Sequence, residues 1–589
     1  MPHSFDKWRE RLTDAKRVWI DKGILGTSAD STMRMLIEFY RSNQWQGMEH
    51  WGGLQTEALR IVNKIFPMAN AMQAEIAARN PKTQYFARHE DWTVAAPKVK
   101  ALHDYDIREQ NHQRQLNAAF RDHQLAPFGI IRHGFTPEEE YETEGSTRRR
   151  KRRMQLYRPA NPNRPWLRRI SPWNVLMDPY CEAFHPDGGM RWCAFRDVMM
   201  KRDIADNPNM TVDRKKLQGS SGNIASEWLE MQDPALRQSG SPDKAEGFEV
   251  WTVYEAEEGQ WFQMALSGID DWLRKPADWP IPWETLPINI FSVNEQMDTP
   301  FSLALLEDQI PLQNELNQVR TMLSQGVLRG RSFNIANAQS FEDDEVTRMK
   351  DGEMGEWFFA KGGDLGNAVQ SVKTTGVSQE SLLLLGIVTD DMRESGGQSK
   401  MQRGQRINVS SATEASFVQS GNDINAGRIE DSFVTFVTEV ESTYMQGRRF
   451  ILGEVGESER VRILGTSGSA QLDQWVDVTP EDLAGDYAFE LEAGSTRRRN
   501  KAQESQEAAV DLEIASKMPP QVANIPYFFK RYLEARDIPT SEGMMREAGQ
   551  AGQQDAQVEA RNRALGQGGQ TGGLDANVIA AMNGAGRSQ

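Results

Sequence analysis

Between residues 299 and 446 the sequence lays out a pattern that one compact core cannot absorb: helix, Gly-punctuated insert, helix, Gly-rich break, long helix. The first helix is predicted from Thr299, with Thr299 as N-cap and Pro300 at the first helical position. Leu305, Leu312, Leu316, Val319 and Leu323 then share one apolar stripe. Pro311 falls inside this run and predicts a kink, because it removes a ladder bond and crowds the turn before it. The insert, 327–376, contains the alternating pieces SFNIANA and GEWFFA and an acidic helix start at EDDEVTRM. Helical periodicity returns over 378–394, breaks at SGGQSKMQRGQRINVSS, and returns over 411–446.

The flanks read as mixed helix and strand. Residues 4–80 carry helical spacing, including ALRIVNKIFPMANAMQAEIAARNP, which Pro81 ends, and a second helix is predicted over 92–125. FGIIRHGF (128–135) and MQLYRP read as two strands joined by an acidic arm, TPEEEYETE, and a basic arm, TRRRKRR, a hairpin at 136–153 whose charges can pair across the ladder. Two short strands follow between 166 and 200, a polar helix-containing excursion over 205–245, and the strands FEVWTVYEA and QWFQMAL. The Pro/Trp-rich stretch 276–300 reads as an extended connection. After residue 446, RFILGEV, RVRILG, QWVDV and YAFELEA read as strands, and a last helical region runs from Ser495 to about Gly549. The composition of 551–589 predicts a disordered tail.

Length and charge narrow the function classes. At 589 residues the chain should divide into several regions, and sixteen Trp with twenty-four Phe argue for folding over most of it. A formal charge of -16 is the wrong sign for a protein whose task is gripping phosphates. Cys181 and Cys193 make neither a disulfide framework nor a four-ligand metal site, so a reducing compartment is expected, with both thiols as buried small apolar groups. The charged start MPHSFDKWRERL predicts no secretory signal, and no apolar run is long enough to span a bilayer. The expectation is a soluble protein made in a cytoplasm.

Catalytic signatures are absent. There is no GxxxxGK[ST] loop and no HExxH, the eight His lack ligand spacing, and GTSGS at 465–469 is not a nucleophile elbow. No enzyme activity, cofactor or metal is expected. Acidic pairs such as Asp343-Asp344 and Asp390-Asp391 could bind Mg²⁺, but adjacent carboxylates on a helix diverge, which favours a solvated face. The run Arg148–Arg153 reads either as a nucleic-acid contact or as an arm neutralised by Glu138, Glu139, Glu140, Glu142 and Glu144. Arg497, Arg498, Arg499 and Lys501 open the last helical region at the end the macrodipole disfavours for cations, so an acidic partner, a neighbouring subunit or solvent are all open readings.

Several stretches, in their order, resemble the tailed-bacteriophage portal family: ISPWNVLMDP, RWCAFRDVMMKRDI, FEVWTVYEAEEGQWFQMAL, and LPINIFSVNEQMDTPFSLALLEDQIPLQNELNQVRTMLSQ with its Gln313, Asn314 and Asn317. The resemblance covers about 166–540 and implies an α+β portal fold that forms a ring. It implies N-terminal helices and a wing over 1–290, a first stem helix over 291–326 and a clip over 327–376. A second stem helix over 377–394, a tunnel loop over 395–410, and a wing helix with strands over 411–494 follow. A crown over 495–550 precedes the tail.

By the same resemblance the chain is one of twelve around a capsid vertex, the channel for genome packaging and ejection. Its implied partners are the capsid and scaffolding proteins, the terminase large subunit, then a head–tail adaptor or tail protein, with double-stranded DNA passing through, and no membrane. The implied location is the virion, after assembly in a host cytoplasm. Leu305, Leu312, Leu316, Val319 and Leu323 are then stem residues packed between subunits. Asp343, Asp344, Glu345, Arg348 and Lys350 are the clip candidates for docking. Lys400, Arg403 and Arg406 are loop cations that either touch DNA phosphates or pair with a neighbour's carboxylates. Twelve chains at -16 carry on the order of -190, a field that discourages DNA from adhering to a channel wall. Two other readings compete: another head–tail connector, which needs no helix–insert–helix module, and a metal-dependent DNA-processing enzyme, which needs converging carboxylates.

Overall fold

A computed structural model describes residues 4–20, 28–45, 50–51, 54–55, 59–77, 81, 83–135, 164–185, 188–207, 210–213, 216–217, 247–266, 268–297, 299–329, 333–336, 369–372, 379–396, 412–456, 458–462, 475–491, 501–517, 528–529 and 532–533. The charged hairpin at 136–153, most of the excursion before residue 246 and the tail lie outside them. The chain divides into two units, Met1–Val461 with Val476–Arg498, and Arg462–Trp475 with Arg499–Gln589.

The first unit is mixed helix and strand, in agreement with the α+β expectation. It begins with α1 (Phe5–Ile20), α2 (Ala29–Tyr40), the short strands β1 (His50–Trp51) and β2 (Leu54–Gln55), α3 (Ile65–Ile76), β3 (Thr83–Ala87), α4 (Ala96–Glu109) and α5 (His112–Leu125). Next come β4 (Gly129–Phe135), β5 (Pro165–Ile170), β6 (Val175–Met177), β7 (Trp192–Met200), α6 (Lys201–Asp206), β8 (Gly247–Glu255), β9 (Gln260–Ala265), β10 (Trp272–Asp278), β11 (Ile288–Phe291), β12 (Asn294–Gln296) and β13 (Thr299–Leu303). The rest is α7 (Gln309–Arg329), β14 (Phe333–Ala336), β15 (Val369–Val372), α8 (Gln379–Ser395), α9 (Ala412–Val455), β16 (Glu459–Arg462), β17 (Trp475–Val478), α10 (Pro480–Ala484) and β18 (Tyr487–Leu491). The described helix of the second unit is α11 (Lys501–Lys517).

Two antiparallel sheets organise the first unit, β10-β9-β8-β7-β6 and β11-β4-β5. The β8–β9 hairpin follows from the β-branched and aromatic residues of EVWTVYE and QWFQMA, and Gly259, at φ +64, closes its turn where a side chain would be strained. Trp251, Phe195 and Phe262 fill the core, and Trp8 of α1 meets Trp192 and Phe262 edge-on. On β4, Gly129 lets α5 approach so closely that a Cβ would collide with the Ala119 carbonyl, 2.0 Å away. Phe120, Phe291, Phe433 and Phe436 then pack α5, β11 and α9 together.

Several sequence expectations are corrected. The helix expected from Thr299 starts at Gln309, and Thr299–Leu303 is a strand paired with β12. Tertiary packing overrides the capping signal here: Phe301 enters an aromatic cluster with Trp19, Phe128 and Phe184. The amides of Leu305 and Leu306 bond to the carbonyls of His123 and Gln124 at the end of α5. Pro311 therefore sits in the first turn of α7, where the amide it lacks has no intrahelical partner, and it does not lie mid-helix as the kink requires.

The helix expected before residue 80 begins only at Ile65. That over 92–125 is two helices, separated at Asn111 with φ +53. β10 to β13 occupy the stretch expected to be a plain connection. RFILGEV continues α9, because Ile451 and Leu452 are buried, and the helix ends before Gly456 at φ +68.

Candidate functional site

The α7–α8 pair carries Leu312, Leu316, Val319 and Leu323 of the apolar stripe and the acidic pair Asp390-Asp391. α7 is followed by β14 and α8 preceded by β15, and those strands pair antiparallel, Phe333 opposite Val372 and Ala336 opposite Val369. The two helices thus pack on each other and the strands adjoining them in sequence pair as well. The docking candidates Asp343, Asp344, Glu345, Arg348 and Lys350 lie outside the described residues, as do Lys400, Arg403 and Arg406.

α7 buries two adjacent seams. The apolar one holds Leu312, Leu316, Val319 and Leu323, and Leu316 packs with Val388 and Met392 of α8. Leu305 is not on the helix; it is buried in the turn before it, in the core around Phe291. Four of the five stripe residues, Leu305, Leu316, Val319 and Leu323, are thus buried within a single chain, and Leu312 is half-buried beside them. The stripe expected to pack between subunits is thus covered for the most part by the chain itself.

The second seam is polar, and apolar periodicity does not reveal it. Gln309, Gln313, Asn317 and Thr321 recur every four residues on one face, all buried. Three of them hold the extended segment 59–64: Gln313 Oε1 accepts from Lys64 N (2.9 Å), Asn317 Oδ1 from Val62 N (3.0 Å), and Thr321 Oγ1 from Arg60 N (3.0 Å). Gln313 Nε2 donates to the Val62 carbonyl at 3.0 Å. The side-chain ladder substitutes for a strand partner, and it explains why a helical spacing at 59–64 is not a helix: its amides are engaged elsewhere. The Gln/Asn-rich centre was visible in the sequence; its partner, some 250 residues away, was not.

Large apolar side chains of both helices remain exposed. On α8, Leu382, Leu383, Leu384 and Ile387 are 56%, 62%, 41% and 56% exposed, and on α7 Met322 and Val327 are 54% and 65% exposed. Over 382–388 α8 is apolar on several faces, Leu385 and Val388 turning inward, while Glu380, Asp390, Asp391, Arg393 and Glu394 make its two ends polar.

Two cavities carry charged side chains. One, about 370 Å³, lies where α7 begins, lined by Glu75, Leu305, Glu307, Asp308, Ser395 and Arg428. Its charges are engaged: Glu307 accepts from Ala304 N, Asp308 from Ser395 Oγ, and Arg428 donates to Asn294 and to the Val293 carbonyl. Burial raises the Glu307 carboxyl. The other, about 190 Å³, holds Asp30, which already accepts from Arg34 and Trp173. Both cysteines are free and buried, and burial pushes both thiols up, Cys181 to about 11. Among the described residues no group of three His, Cys, Asp or Glu side chains could hold a metal, and no helix is long and apolar enough to cross a membrane. No family model and no curated protein sequence matches this chain.

Proposed function

We propose that the chain is a subunit of a tailed-phage portal ring, a structural conduit and not an enzyme. The observation that carries this reading is the set of exposed apolar side chains on the α7–α8 pair, Leu382, Leu383, Leu384 and Ile387 with Met322. A helix hairpin that is complete on one side and apolar on the other needs a neighbour, and a heterologous contact repeated around a closed axis supplies one to every copy. The inner seam, which the single chain fills by itself, keeps the pair rigid for that role. The surface offered to a neighbour is thus Leu383 and Ile387 with Met322, instead of Leu316 and Val319.

The net charge of -16 supports a conduit along which DNA slides without sticking. In this reading 327–376 is the clip that meets the terminase and later the adaptor, with Asp343, Asp344, Glu345, Arg348 and Lys350 as its charged contacts. The loop cations Lys400, Arg403 and Arg406 make weak, phosphate-directed contacts with moving DNA.

The test has two parts. Negative-stain images of the purified chain should contain rings with a central hole; compact monomers would reject the portal. Particles assembled with Lys400, Arg403 and Arg406 all replaced by Ala should form normal rings yet package or retain less DNA. Normal packaging would remove the loop from the account.

A further inference from the structure

The cavity of about 190 Å³ between α1, α2 and the five-stranded sheet is lined by charge of mostly one sign. Lys16 of α1, Arg34 of α2 and Arg196 of β7 line it against a single carboxylate, Asp30. Both oxygens of Asp30 are engaged, Oδ2 by Arg34 Nε at 2.8 Å and Oδ1 by Trp173 Nε1 at 2.9 Å. Arg196 has a side chain only 6% exposed, and its Nε lies 2.9 Å from Glu249 Oε1. That contact anchors the guanidinium at the cavity wall.

The rest of the wall is flat and apolar. The indoles of Trp19, Trp173 and Trp251 line it, together with Pro172, Val175 and Leu176. Trp251 stands directly opposite Arg196 in the β7–β8 register, so ring and guanidinium share one face of the sheet. Trp251 is 1% exposed, and its Nε1 has no hydrogen-bond acceptor among the described residues. A buried indole N–H normally finds an acceptor. Here the described protein atoms supply none, and the cavity that Trp251 lines has room for one.

Chemistry and size together select a ligand. Protein interiors keep few voids larger than a water molecule, and apolar walls with a few polar groups are the common make-up of a small-molecule site. The excess of cations among the lining residues favours an anion. The indoles favour a flat body that stacks on them. A cavity of about 150 Å³ admits a benzene ring, so this one has room for a single ring bearing a carboxylate. Inorganic phosphate would meet the cations and leave the indoles uncovered. A neutral ring would do the reverse.

We propose that this cavity binds a small aromatic carboxylate, its carboxylate toward Lys16 and Arg196 and its ring against Trp173 and Trp251. This inference does not rest on the portal reading. Arg34 is 41% exposed and bound to Asp30, which leaves the contact to the other two cations. Glu249 takes one edge of Arg196, and a guanidinium carries five N–H donors. Charge-assisted bonds from Lys16 and Arg196 hold the carboxylate, with Trp251 Nε1 as a neutral third donor.

The measurement is isothermal titration calorimetry of the full chain with benzoate, benzamide and inorganic phosphate. Benzoate should bind with a dissociation constant of about 1 mM or below. It should bind about tenfold more tightly than neutral benzamide, which lacks the charge, and than phosphate, which lacks the ring. Lys16→Gln should weaken benzoate about tenfold, while Lys7→Gln, at an exposed position of the same helix, should change nothing. Trp251→Phe keeps a ring and removes the Nε1 donor, and should weaken benzoate about threefold. Lys16→Gln decides the matter if the buried Trp251→Phe fails to fold. Absence of benzoate binding, equal affinity for benzamide or phosphate, or unchanged benzoate affinity in Lys16→Gln would overturn the proposal.

Discussion

The core around Phe291 and the α7–α8 pair are built on opposite terms. Around Phe291, rings from α5, β11 and α9 surround one another within 5.3–5.7 Å, and the sheet beneath is covered on both sides by elements of the same chain. In the helix pair the buried apolar contact is narrow, Leu316 with Val388 and Met392, while four large side chains of α8 face outward. One region is finished by its own chain. The other is finished only on its inner side and leaves Leu382, Leu383, Leu384 and Ile387 exposed.

The largest single-residue effect should come from the finished region. Phe291→Ala opens a cavity among three elements and should cost about 3–5 kcal/mol, read as a lower denaturant midpoint. A loss below about 1 kcal/mol would mean that this core is looser than its ring contacts imply.

Acid should act on the same region through His123 and His133. Burial lowers both to about 4, and each is fixed in a neutral tautomer, His123 bonding to Ala126 O and Val293 N, His133 to Asn289. The folded form resists a proton that the unfolded chain accepts near pH 6.5. Stability is therefore intact above about pH 6.5 and falls as pH drops toward 4, by about 3 kcal/mol for each histidine. His123→Gln should flatten part of that slope in urea titrations at pH 7 and pH 4.5; an unchanged slope would contradict the assignment.

The polar seam should give a smaller loss. Asn317→Ala leaves the Val62 amide unpaired and should cost about 1–3 kcal/mol. Exchange at residues 59–64 should rise more than exchange in β8. If both rise equally, the segment is not held by α7 in the way the hydrogen bonds describe.

The two regions also differ in how far the sequence reveals them. The runs FEVWTVYEA and QWFQMAL give strands at once, because short stretches rich in β-branched and aromatic residues between turn signals suit a strand buried on both faces. The start of α7 leaves a misleading one. Thr299-Pro300 has the chemistry of a helix N-terminus, yet Phe301 is worth more inside the aromatic cluster, and that outcome is set by Trp19, Phe128 and Phe184 from distant parts of the chain. The stripe on α7 is legible as an apolar seam, but its partner is not. Periodicity shows that a face is buried, not whether the same chain or a neighbour buries it. The contact of Glu441 with His103 and His112 is invisible for the same reason: Glu441 lies more than 300 positions from either histidine.

The smallest effect on stability should accompany the largest effect on assembly. Leu383 and Ile387 are both exposed in the single chain, so replacing them by Asp should change its folding free energy by no more than about 0.5 kcal/mol each. If their surface is where a neighbour packs, each substitution buries an unpaired charge in every interface of the ring. Light scattering coupled to size-exclusion chromatography reads this directly. The account predicts a closed oligomer of many subunits for the wild type and monomers or small fragments, still folded, for Leu383→Asp with Ile387→Asp. A wild type that is monomeric, or a double variant that assembles as the wild type does, would contradict it.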